Sequence, residues 1–167
     1  VYFDHGNNTQ ESRTKIAGFL CPSDSPFPGS ADTGNNNYGG SMGPSFGYYV
    51  TPLGVRNGFF NMDVIVRMGD VRDGTSNTIA MSEQLVGDNN NAAYRPGDVV
   101  RGIAYAGNKT RPTAGDLDTY GNACNATAAL ANHHSHNGRE WSIGMPAQTL
   151  FNTAATPNWR FPVCQEC

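Results

Sequence analysis

The 167-residue chain carries 11 Lys and Arg against 14 Asp and Glu, a formal net charge of −3, so it has no excess of basic residues from which a nucleic-acid surface could be built. No apolar run approaches the ~20 residues that cross a bilayer as a helix, and the length suits one hydrophobic core, read as a single globular domain over residues 1–167. Only 15% of residues are charged while 20 are Gly and 10 are Pro, a balance that favours short strands and many turns over long amphipathic helices.

In chain order, Thr14 to Leu20 reads as a short strand, with Ile16 and Leu20 on one face, stopped by the turn Cys21-Pro22-Ser23-Asp24. Ser25 to Asn37 holds two Pro, two Gly and three Asn and is expected to be an exposed connection, with Asn35-Asn36-Asn37 as a loop tip. Phe46 to Thr51 and Gly58 to Val66 are aromatic and β-branched runs expected as strands of an antiparallel sheet. The turn cluster Asp70 to Asn77 follows, and then Ile79, Met81 and Leu85 alternate with Thr78, Ala80 and Ser82 in a further strand. Asp88 to Ala93 is a second Asn-rich tip, and Val99 to Tyr105 predicts a strand whose partner the sequence does not name. Asn125 to Leu130 is the one stretch with good helical propensity, barely two turns long. The pattern therefore predicts a β-rich α+β fold, an antiparallel sheet with long irregular loops.

Four cysteines, Cys21, Cys124, Cys164 and Cys167, admit three fully paired connectivities. An even count in a loop-rich chain fits an oxidising compartment, so export and disulfides are expected. A redox pair at Cys164 and Cys167 would need a helix N-terminus at the first thiol, and Pro162-Val163 before it reads as extended chain. The group His133, His134 and His136 lacks the paired spacing of a zinc site. Asp70 and Asp73, with Asp88 in the next loop, offer the hard oxygen atoms that calcium prefers, the competing reading being that Asp73 caps its own turn.

Gly39-Gly40-Ser41-Met42-Gly43 matches the G-x-S-x-G spacing of a nucleophile elbow, whose chemistry needs a strand before the serine and a helix after it. Polar Asn residues precede it, and Pro44 and Gly47 follow, so catalysis at Ser41 is not expected and no catalytic residue is assigned. Triplets headed by Asn7, Asn108 and Asn125 have the N-x-S/T form and are read as exposed polar loops. Tyr48, Tyr49 and Trp141, with His133, are the side chains that would line a binding surface for a glycan or small solute.

Three segments follow one another in a set order: Phe19-Leu20-Cys21-Pro22-Ser23-Asp24, then Asn37-Tyr38-Gly39-Gly40, then Asp70-Val71-Arg72-Asp73-Gly74-Thr75-Ser76-Asn77-Thr78-Ile79 leading to Glu83. With Phe151-Asn152-Thr153, Pro157-Asn158 and Cys164 behind them, they resemble the planctomycete DUF1559 family of pilin-like, type II secretion G-like proteins. The resemblance implies a pseudopilin-like head, made with a prepilin-like leader and a long apolar N-terminal helix that is its membrane attachment. It also implies export to the cell surface and assembly with copies of itself or other pilin-like subunits. On that resemblance Val1 to Cys167 is expected to be a middle portion, lacking that helix and a C-terminal strand. The leading expectation is a structural subunit of a filament or surface assembly, not an enzyme, the alternative being an extracellular solute- or glycan-binding module.

Overall fold

The computed structural model describes residues 9–29, 34–46, 58–61, 65–126 and 130–166. Their order is α1 (Thr9–Ser12), β1 (Tyr38–Ser41), β2 (Met81–Glu83), β3 (Val99–Val100), α2 (Ala114–Asn125), β4 (His133–His134) and β5 (Leu150–Phe151), with single turns of 3₁₀-helix at Ala17–Phe19, Met68–Asp70 and Thr75–Asn77. The result is α+β with little helix, as expected. The sheet differs in one respect: β1 pairs antiparallel with β2 but parallel with β5, giving the order β2-β1-β5. Strands β3 and β4 form a separate antiparallel pair, extended by a parallel bridge from Val100 to Cys164. Among the described residues no helix is long and apolar enough to cross a membrane.

Several sequence expectations are corrected by tertiary contacts. Thr14 to Leu20 is not a strand: Phe19 and Leu20 donate back to Ile16 and Ala17, closing a 3₁₀ turn around the unhindered Gly18. The outward groups that remain, Phe19 C=O and Cys21 N–H, are taken by the backbone and side chain of Asn37. Residues 58–61 and 65–66 form no strand; Phe60 donates its amide to Ser41 C=O and lays its ring over Gly40. Of the run Val99 to Tyr105 only Val99–Val100 is strand, because Gly102 has a φ of 72° and turns the chain away. The expected strand at Phe46 to Thr51 lies outside the described residues beyond Phe46.

Helix α2 ends where the sequence places a helix start. Thr113 accepts from Asp116 N–H through Oγ1 and Asp116 returns a carboxylate oxygen to Thr113 N–H, a reciprocal cap that fixes the first turn. Two glycines in twelve residues give α2 poor intrinsic propensity. Packing supplies the rest: Tyr120, Gly121 and Cys124 share its buried face, with the Phe161 ring against Gly121 and a disulfide from Cys124 to Cys164. Around that disulfide Tyr105 and Tyr120 meet edge to face, Phe46 stacks on Tyr105 at 4.4 Å, and Ile103 and Trp159 close the cluster.

Polar groups share the interior with apolar ones. Among the described residues eleven polar or charged residues are buried against eight apolar ones. So few ladder bonds exist that side-chain amides must satisfy the buried backbone of the loops.

Candidate functional site

The three Asn residues expected at an exposed tip are buried instead, and each spends its amide on backbone. Asn35 accepts from Phe27 N–H and donates to Arg139 C=O. Asn36 donates to Tyr38 C=O and accepts from Tyr38 N–H. Asn37 is the hub: Oδ1 accepts from Cys21 N–H at 2.9 Å, while Nδ2 donates to Asp24 Oδ2 at 2.6 Å and to Gln84 C=O at 3.0 Å. Asp24 Oδ2 also accepts from Val86 N–H at 2.8 Å. The network runs on through Gln84 Nε2 to Gln148 C=O and through Gln148 Nε2 to His136 C=O. Thus Cys-Pro-Ser-Asp, Asn-Tyr-Gly-Gly and the residues after Glu83 meet at one point.

The paired glycines of that middle segment serve close approach. A Cβ on Gly39 would lie 3.0 Å from the Phe151 ring, and one on Gly40 would lie 2.6 Å from the Phe60 ring. Phe151 C=O accepts from Met42 N–H, and Thr153 donates to Gly43 C=O, so Phe-Asn-Thr joins the same assembly through β5. Ser41, inside β1, is buried and its Oγ accepts from Gly43 N–H. The hydroxyl is thus enclosed and engaged by its own turn.

The Asp-Gly-Thr-Ser-Asn-Thr segment behaves differently. Gly74 has a φ of 81°, Asn77 Nδ2 donates to Asp73 C=O and Thr78 Oγ1 to Gly74 C=O, all at the surface. The self-capping residue here is Asn77. Asp70 Oδ2 accepts from Arg67 N–H, and Asp88 accepts from Asn90 N–H while facing Arg95 Nε at 3.4 Å. Among the described residues no three His, Cys, Asp or Glu side chains gather closely enough to hold a metal, so Asp70, Asp73 and Asp88 are not brought into a common calcium cage.

This turn leads into an apolar surface. The alternation at Ile79, Met81 and Leu85 is present, but its apolar members face outward: Ile79 is 52% and Met81 56% exposed, and Leu85 is also exposed. Strand β2 is the edge of its sheet, and Ile65, 88% exposed, with Met68 lies in the connection before it. Among the described residues, β2 thus has no buried face and an unpaired edge, flanked by large apolar side chains.

Two of the expected binding residues, Trp141 and His133, are among the described residues. Tyr48 and Tyr49 lie outside the described residues, as does Cys167. Trp141 is half-buried, donates its indole N–H to Thr14 C=O, and packs on Phe19 and Gly34. His133 is buried with Nδ1 2.6 Å from Leu130 C=O and Nε2 3.6 Å from Asp98 Oδ2. Of the cysteines, Cys124 pairs with Cys164 and Cys21 is a half-buried free thiol. Sequence reasoning misses Asn37, Asp24 and Asp98; for the first two the signal to follow is their place at the edges of the ordered segments.

No curated protein and no solved structure matches the chain. Residues 2–160 match the family described as SBP_bac_10, Protein of unknown function (DUF1559). Cys21 and Asp24 on Asn37, and Phe151 on Gly39, lie in segments that carried the resemblance, and the chain belongs to the DUF1559 family.

Proposed function

We propose that this chain is a non-catalytic structural subunit, a pilin-like or pseudopilin-like head displayed outside the cell and assembled with copies of itself or with related subunits. The observation that carries this reading is the outward apolar face of β2 and its approach, Ile79, Met81, Leu85, Ile65 and Met68. Exposing such residues beside an open strand edge costs solubility, and the arrangement suits a surface that another subunit covers. The family membership and the Cys124–Cys164 disulfide agree with an exported protein.

The reading is tested in the full-length protein produced from its own gene, comparing wild type with Met81→Asp and Ile79→Asp. Self-association is expected to weaken at least about tenfold, because a carboxylate desolvated at an apolar contact costs more than about 1.4 kcal/mol, with thermal stability unchanged at these exposed positions. Unaltered assembly of both variants by sedimentation and electron microscopy would refute it. The glycan- or solute-binding alternative draws less support, since Trp141 and His133 are both engaged inside the fold.

A further inference from the structure

One turn makes three hydrogen bonds to the Asn-rich loop at 88–93. Asn89 donates its backbone amide to Ser135 C=O at 3.2 Å, Ser135 Oγ donates to Asn90 C=O at 2.9 Å, and Ser135 N–H donates to Asn91 Oδ1 at 3.1 Å. Ser135 is fully buried, and it stands between two histidines. His134 Nδ1 accepts the amide of His136 across this turn at 3.4 Å. That nitrogen is therefore a lone-pair acceptor, and a proton placed on it opposes an N–H already pointing at it.

The surroundings favour the neutral ring. The His134 and His136 centroids are 6.0 Å apart. Burial, then His136 and Arg101, hold the His134 imidazole below its ordinary 6.5, against the opposing influence of Asp98 and of a hydrogen bond with Gln165. Burial and then Arg139 lower His136, whose ring also lies 5.9 Å from Phe27.

We propose that His134-Ser135-His136 is an acid-sensitive latch, holding the 88–93 loop against β4 at neutral pH and releasing it when protons occupy the two flanking imidazoles. The latched state needs His134 Nδ1 unprotonated; adding a proton breaks the turn that positions Ser135, and two like charges at this spacing keep it open. For histidines that titrate lower in the folded state, the stabilisation is complete above 6.5 and is lost as pH falls below it. The loop is also held by Asp88 with Arg95, by Asn89 Nδ2 with Pro28 C=O, and by His133 Nε2, 3.4 Å from Asn90 C=O; the first two involve no histidine, so release is local.

Hydrogen exchange of the intact protein, corrected for the intrinsic pH dependence of exchange, tests this between about pH 7.5 and 5.0, a span that brackets the ordinary histidine range. Protection in 88–93 and 134–136 is expected to fall at least about tenfold, with α2 unchanged, because each pH unit below the histidine range multiplies the protonated fraction of an open, titrating ring tenfold over its neutral form. His134→Gln keeps a side-chain acceptor without a titrating ring and is expected to abolish the fall. Arg101→Gln removes a cation that disfavours the charged ring and is expected to move the midpoint to higher pH. Equal protection at both pH values, or an undiminished fall in a folded His134→Gln, overturns the latch. Should His134→Gln not fold, an unmoved midpoint in Arg101→Gln does so.

Discussion

At the scale of single residues, the same side chain does opposite things in two places. Asn89 to Asn91 forms the exposed tip that its composition suggests, whereas Asn35 to Asn37 is buried and binds segments far along the chain. Composition cannot separate the two, because the turn propensity of Asn is local and the partners that bury it are not. Asn37→Ala is expected to cost about 2–4 kcal/mol in urea unfolding, since it strips partners from Cys21 N–H, Gln84 C=O and Asp24 at once. Ser76→Ala, in the exposed turn of another family segment, is expected to stay within about 0.5 kcal/mol. One part of the family signature thus holds the fold, and another leaves it free to serve the surface.

Secondary structure shows where pattern reading stops. The class, α+β with few strands, is legible from Gly, Pro and short β-branched runs, and β2 is legible from period two. That neither face of β2 is buried is not, because no layer covers Ile79 and Met81 among the described residues. Helix α2 is hidden because Gly115 and Gly121 depress propensity, although Thr113 and Asp116 stand at the cap spacing. That cap is expected to matter: Thr113→Ala should lower stability by about 1 kcal/mol, read as a drop in the thermal transition, whereas Thr113→Ser should be nearly neutral. Strand β4 is hidden for a similar reason, since His133-His134 has no strand signature apart from its pairing with Val99-Val100.

For the whole molecule, regular ladders cover so little of the chain that long loops must be tied down one contact at a time. The strongest of those ties is covalent, joining α2 to the segment that bridges onto β3 across 40 residues of sequence. Its consequence for protein chemistry is specific. Arg160 is exposed, and trypsin cutting after it would sever the peptide that begins at Phe161, yet Cys164 keeps that peptide bound to Cys124. Protein cut at that bond alone should therefore gain one water in mass and lose nothing, and reduction should be needed to free the fragment that begins at Phe161. If the fragment departs without reduction, the two thiols were never joined.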